Sequence, residues 1–301
     1  MGIYVETRIH GSLEELWEKT QTPEWHERWD ARFTSITCLP RAEESEPQRF
    51  EYTTRLGFGL GIKGAGETVG SRDETTGRRT SSLRFWSDDA KSLIREGAGY
   101  WQYTPLEDGV RFVTGYDYQT RFGWLGRTFD RFVFRPLMGW ATAWSFDRLR
   151  LWIEQDIDPA VSMQRSLIHG LARMTVAFVW IYQGLIPKLI ARHTDELAML
   201  ADAGVAASVA PAFLIIAGMA EVVLGATVLI CFHRRWPLVL TVLLMLLATI
   251  GVAISSPQYL SAAFNPVSLN LLLAVVALLG LSVMHDLPSA RRCLRKKPET
   301  D

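Results

Sequence analysis

Arg173 and Glu221 lie within apolar runs, where a lone charge costs about 2.5–3.5 kcal/mol to insert. Along helices rising about 1.5 Å per residue, Arg173 stands about 10 Å inside its run and Glu221 about 16 Å from the end of its own. An arginine side chain spans that difference, so the sequence predicts an Arg173–Glu221 ion pair between two helices. His169, one turn before Arg173, shares its face and joins the pair. Gln183 and Lys188, with Asn265, Ser268 and Asn270, make a second polar group toward the other surface. Such groups either hydrogen-bond helices together or build a site for a substrate, a quinone or a proton, and both readings stand at this point.

The elements that position these residues are four apolar runs, Ser166–Leu189, Ser208–Phe232, Trp236–Ser255 and Pro266–His285. Each is near the ~20 residues that a helix needs to cross a bilayer. Four crossings return the chain to its starting side, which carries Arg234, Arg235, Arg291, Arg292, Arg295, Lys296 and Lys297. Basic residues mark the cytoplasmic face. The expectation is therefore a multi-pass protein of the cell inner (plasma) membrane with both termini in the cytoplasm.

The chain has 301 residues and a formal net charge of +0 that averages a charged, aromatic front half with an apolar rear half. Cys38, Cys231 and Cys293 have no CxxC spacing, which argues against a disulfide framework, a zinc cluster or a dithiol centre. Cys293 reads as a surface thiol, with juxtamembrane palmitoylation as the alternative. The opening "MGIYVETRIHGSLEELW" lacks the basic and apolar segments of a signal peptide, and Glu6 replaces the Ser or Thr of a myristoylation signal.

The rear half resembles the DoxX-like family of bacterial membrane proteins. The likeness is carried by Arg173, Phe178, Trp180, Gly184, Pro187 and Lys188, by "TDELAML" at Thr194–Leu200, by Glu221 with Gly225, and by "NPVSLN" at Asn265–Asn270. It covers roughly the last 130 residues. Many relatives carry His where this chain has Gln183, so chemistry that needs that His is in doubt. Because some DoxX proteins are linked with thiosulfate–quinone chemistry, the resemblance implies one alternative, a subunit of a membrane oxidoreductase using a quinone. No cofactor motif is evident in the chain itself, and the partner is either such an oxidoreductase or a second copy of the chain.

The front half reads as α+β. Ile3, Val5 and Ile9 alternate in the first strand, Ser12 caps a helix at "LEELWEKT", and a second short helix follows at "PEWHERW". Strands are expected at Ser35–Leu39, Gln48–Leu56, Gly64–Arg72, Thr80–Ser87, Ala98–Thr104 and Val110–Thr120. In the last, Val110, Phe112, Thr114, Tyr116 and Tyr118 share the inward parity. The aromatic- and arginine-rich stretch Phe122–Glu154 then forms a long helix. Trp124, Phe129, Trp140, Trp144 and Trp152 are expected to pack on the sheet, and Arg127, Arg131, Arg135, Arg148 and Arg150 to face water or anionic lipid.

This order of elements resembles the helix-grip fold of the START-like (SRPBCC) superfamily, which includes polyketide cyclases and lipid-transfer proteins. The resemblance implies an apolar cavity between sheet and helix for a lipid or another hydrophobic small molecule. Arg84, Trp86, Trp101, Tyr103, Tyr116 and Tyr118 are the ligand-binding candidates, and Glu67 is a candidate acid or base. Catalytic residues are unknown, and a cyclase-like enzyme would need a titratable group inside the cavity. His10 and His26 lack the spacing of an iron site, so no metal is expected. Glycines at Gly57–Gly70, "GFGLGIKGAGETVG", mark a strand bend or hairpin rather than a phosphate loop. No nucleic-acid footprint stands out.

The expected organisation is a START-like domain over residues 1–155, a linker over 156–165, an all-α four-helix transmembrane bundle over 166–290 and a basic tail over 291–301. The preferred function is binding of a hydrophobic molecule beside the lipid bilayer.

Overall fold

A computed structural model describes residues 2–298 apart from Ala42, Glu44, Ser45, Phe58, Thr76 and Phe264. The chain divides into two units, Met1–Ser162 with Pro288–Asp301, and Met163–Leu287.

In the first unit, the alternating Ile3, Val5 and Ile9 form β1 (Ile3–Ile9), and Ser12 accepts a 3.1 Å hydrogen bond from the Glu15 amide to start α1 (Leu13–Gln21). After α2 (Pro23–Trp29) come β2 (Ser35–Cys38), β3 (Arg49–Gly57), β4 (Leu60–Asp73), β5 (Arg79–Trp86), β6 (Ile94–Leu106) and β7 (Gly109–Thr120). They form one antiparallel sheet in the order β1-β7-β6-β5-β4-β3-β2, a meander closed by β1 beside β7. On β7, Val110, Phe112, Thr114 and Tyr118 are buried and Tyr116 half-buried, the parity that the sequence predicts.

A continuous helical stretch follows, α3 (Gly123–Phe129), a π-helical turn at Asp130–Phe134 and α4 (Arg135–Gln155). Its inward face corrects the expectation. Ala143, Phe146 and Leu149 are fully buried, and Trp144 and Trp152 join the core, whereas Trp124, Phe129 and Trp140 are exposed. The inward positions are taken by Gly126 and Asp130 and then by Phe134 and Met138, so Trp124, Phe129 and Trp140 fall outside them. Arg148 and Arg150 are buried, not solvated. Arg148 donates to the carbonyl oxygens of Trp29 (3.0 Å), Arg28 (2.9 Å) and Pro159 (2.8 Å), and burial lowers its pKa to about 10.

The tail also departs from expectation. Leu294 exchanges two 2.9 Å backbone hydrogen bonds with Glu6, which satisfies part of the open edge of β1. Cys293 is buried, with its Sγ 3.3 Å from the Ala143 carbonyl oxygen, so neither a surface thiol nor a lipid attachment point describes it. The expected linker is short, because helix resumes at Pro159.

The second unit contains most of α5 (Pro159–Gln183), whose last turns, Gly184–Ile190, are π-helical. It continues with α6 (Thr194–Asp202), α7 (Ala210–Ile230), α8 (Trp236–Ser255) and α9 (Pro266–Ser282). Among the described residues, α7 and α8 are long and apolar enough to cross a membrane. Pro159–Ile190 with Thr194–Asp202 meets the same criterion only as a pair bent by 93°, and α9 is shorter. By length and composition two helices, or three with the bent pair, are candidate spans, where the sequence leads to an expectation of four. Glycines let α5 and α7 approach. A Cβ on Gly184 would stand 2.5 Å from the Gly218 carbonyl oxygen, and one on Gly225 2.8 Å from that of Ala177.

Candidate functional site

The polar centre of the helical unit is built differently from the predicted ion pair. Arg173 is fully buried, and it donates from Nη1 to the Val228 carbonyl oxygen at 2.6 Å, from Nη2 to that of Arg234, and from Nε to His169 Nε2 at 2.9 Å. His169 Nδ1 lies 3.0 Å from the Gly280 carbonyl oxygen and its Nε2 3.1 Å from that of Phe232. The last carbonyls of a helix lack intrahelical donors, and a cation there meets the negative end of the helix dipole. Arg173 therefore satisfies the end of α7 and the turn beyond it. Glu221 is about two turns away along α7, out of reach of the guanidinium.

Glu221 instead faces Lys188 at 3.2 Å, and Lys188 also bonds Glu196 of α6 at 3.0 Å. The second predicted group does not assemble around Lys188. Asn265 caps α9 by accepting from the Ser268 amide at 2.8 Å, and Asn270 donates to Thr249 of α8 at 3.2 Å. Gln183 is half-buried one residue before the Gly184 crossing. Trp180 donates to Thr241 at 3.0 Å, a further link between α5 and α8.

In the sheet unit, alternation on β5 puts Leu83 and Phe85 on the inner face, opposite Gly99 and Gly97 of β6. Arg84 and Trp86 consequently lie on the outer face, where Arg84 is exposed, and they do not join the inner cluster. Glu67, paired with Arg84 in the ladder, is 3.8 Å from Arg49. Trp101 and Tyr103 face inward but are packed. The Tyr103 hydroxyl lies 2.7 Å from Thr20 Oγ1 and accepts from Gln21 Nε2 at 2.9 Å, and its ring stacks on Phe112. Phe112 in turn stacks on Phe146 of α4 at 4.4 Å. Tyr118 donates to Asp130 at 2.7 Å, a carboxylate that also accepts from Arg135 at 2.8 Å, so it anchors the π-helical turn.

Tyr116 is half-buried, with its hydroxyl 2.9 Å from Thr142 Oγ1 of α4 and its ring 6.4 Å from that of Phe85. The fully buried apolar side chains of the sheet come from β1, β6 and β7, which α4, α1 and α2 cover. Among the described residues, no apolar side chain of β2–β5 is fully buried, and Phe50, Tyr52, Leu83 and Phe85 are half-buried on the inner face. Tyr52 lies across Gly64, Phe50 across Gly66 and Phe85 across Gly97, so that a Cβ on those glycines would meet the rings at 2.3–2.5 Å. Glycines at alternate positions thus let aromatic rings lie flat, forming an aromatic floor. Gly57 and Gly59 do sit at a hairpin with positive φ, but Gly64 and Gly66 are mid-strand.

A charge pair, fully buried at Asp30 and half-buried at Arg32, stands at the margin of this floor. Arg32 donates to both oxygens of Asp30, at 2.9 and 2.5 Å, and His26 Nε2 lies 3.1 Å from the same carboxylate. The Arg32 guanidinium carbon is 5.5 Å from the ring centres of both Phe33 and Tyr116. Burial alone would raise the Asp30 pKa, yet the Arg32 charge and the hydrogen bonds from Arg32 and His26 hold it well below the usual carboxylate range. Burial pushes the Tyr52 phenol up to about 12. Neither Arg32 nor Tyr52 was singled out by sequence reasoning; the alternating glycines opposite aromatics were the signal available.

Residues 177–278 match the family model of the DoxX-like family. The chain is 40% identical over 296 residues to the uncharacterized membrane protein YndG of Bacillus subtilis (strain 168), covering 98% of this chain and 97% of YndG. Among solved structures, TTHA0849 from Thermus thermophilus is 19% identical, covering 46% of this chain and 87% of its own, with a TM-score of 0.36. A STAR-related lipid transfer protein from Xanthomonas axonopodis is 14% identical, covering 50% and 83%, also with a TM-score of 0.36. The first unit has the element order of a helix-grip fold, a seven-stranded antiparallel sheet followed by one long helix. The chain belongs to the family of YndG, and it is a membrane protein that joins this fold to a DoxX-like domain.

Proposed function

We propose that the protein binds a lipophilic small molecule on the aromatic floor of its sheet and exchanges it with the membrane in which its helices reside. The observation that carries this reading is the division of the inner sheet face. One half is filled by α4, α1 and α2, while Phe50, Tyr52 and Leu83 are half-buried outside the core cluster and Phe85 packs at its edge. Flat rings favour an extended or ring-bearing hydrocarbon, and Tyr52 with Arg32 offers hydrogen-bonding tips for one polar end. In this reading α5, α7, α8 and α9 cross the cell membrane, and the first unit lies on the cytoplasmic side. The support is the apolar character of those helices together with Arg234, Arg235 and the basic tail.

Native mass spectrometry of the full-length protein in mild detergent tests the binding. A retained lipophile is expected, and a panel of phospholipids, fatty acids and quinones should identify its class. Leu83→Trp, which fills the space over the floor, should weaken retention about tenfold or more while leaving the circular dichroism spectrum unchanged. Wild-type protein that carries no lipophile and binds none of the panel overturns the reading.

A further inference from the structure

The helical stretch after β7 carries an exposed apolar face. Gly126, Asp130, Phe134 and Met138, four residues apart, point inward: Gly126 and Asp130 are buried, and Phe134 and Met138 pack against the core. The opposite row carries Trp124, Leu125, Phe129, Phe132, Leu137 and Trp140, all exposed, with Trp124 at 68% and Phe132 at 70%. A repeat of four would drift around an ideal α-helix of 3.6 residues per turn, and the π-helical turn at Asp130–Phe134 is the wider turn that limits the drift. The turn is held by the Asp130 carboxylate, which bonds Tyr118 and Arg135. The core interactions of the unit therefore present the apolar row outward.

We propose that this row is a bilayer-docking ridge, which lies in the interface of an anionic leaflet with its aromatic side chains among the upper acyl segments. Three observations select lipid as the occupant. The unit bearing the ridge is joined at Ser162 and again at Pro288 to a unit containing helices long and apolar enough to cross a membrane. Trp and Phe interleaved with exposed Arg127 and Arg131 are the side chains that settle at the boundary of hydrocarbon and headgroups. The only acid between Arg121 and Trp140 is Asp130, which is buried and paired, so the exposed charge of the ridge is positive and complements lipid phosphate. This docking stands whether or not the aromatic floor holds a ligand.

The test uses the full-length protein in anionic nanodiscs, with Phe132→p-benzoylphenylalanine as a photocrosslinker. Irradiation is expected to give adducts with the mass of one phospholipid. Adducts with the mass of a second copy or of another protein, or no lipid adduct at all, overturn the proposal. A second measurement guards against a misfolded variant. The fluorescence difference between wild type and the W124F/W140F double variant reports the ridge tryptophans. It should fall severalfold in nanodiscs whose acyl chains are brominated near the headgroup, and an unchanged difference counts against docking.

Discussion

Arg173 on α5 donates a 2.6 Å hydrogen bond to the carbonyl oxygen of Val228, in the last turn of α7. The charge buried among apolar helices is thus matched by a helix end instead of a carboxylate. Arg173→Met leaves the Val228 and Arg234 carbonyls without this donor, and each unsatisfied buried group costs about 1–3 kcal/mol. Thermal unfolding in detergent should show a clear drop for Arg173→Met. A much smaller change is expected for Glu221→Gln, whose partner is Lys188. Equal drops would restore the Arg173–Glu221 pair.

The Asp30–Arg32 pair predicts a pH dependence. Asp30 is fully buried and its folded pKa is depressed, so its contribution is complete above the unfolded value of about 3.9. It is lost as pH falls from there toward the folded value. Asp30→Asn should destabilise the first unit by about 3–5 kcal/mol near neutrality, because Arg32 stays half-buried without its counter-charge. Chemical denaturation at stepped pH should show the gap between wild type and variant narrowing below about pH 4. A gap that widens on acidification would reverse the sign assigned to Asp30.

How much of this was legible depends on whether each feature leaves a mark in side-chain order. The inward row Val110, Phe112, Thr114, Tyr116 and Tyr118 could be read from alternation alone, and the Ser12 cap from residue type. The apolar runs containing α7 and α8 were equally plain. The partners of Arg173 were not, because backbone carbonyls look alike in any sequence. The exposure of Trp124, Phe129 and Trp140 was not legible, because aromatics stand on both sides of this helical stretch and residue type alone does not say which side turns inward. Trp86 and Phe85 differ by one position, and only the register with Gly97 decides which of them faces the floor. Tail docking, by Leu294 on Glu6, Ser289 on Asp147 and Cys293 beside Ala143, rests on contacts too local for any periodicity to announce.

The crossing of α5 and α7 makes a contrast between two glycines. A methyl group on Gly184 would meet the Gly218 carbonyl oxygen, and backbone cannot rotate aside as a side chain can. Nothing stands within 4 Å of a Cβ built on Gly170 of the same helix. Gly184→Ala should therefore lower the unfolding temperature, by about 1–3 kcal/mol of strain. Gly170→Ala should leave it unchanged or raise it through the helix preference of alanine, about 0.5–1 kcal/mol. The two variants made in parallel and followed by thermal unfolding check the contact, and a Gly184→Ala protein as stable as wild type would rule it out.

Cys293 reports whether the tail stays on the sheet. Burial pushes its thiol up to about 12, so little of it is thiolate at pH 8. Cys38 is exposed. Alkylation followed by mass spectrometry should modify Cys38 readily and Cys293 only after unfolding, and fatty acylation of Cys293 is not expected. Asp147 holds the start of the tail by accepting from the Ser289 amide at 2.7 Å, while Arg150 bonds its other oxygen at 2.6 Å. Asp147→Ala should release the tail and raise Cys293 alkylation severalfold in otherwise folded protein, since local opening exposes the thiol without global unfolding. Rapid labelling of Cys293 in the wild type would mean that Leu294 does not stay paired with Glu6.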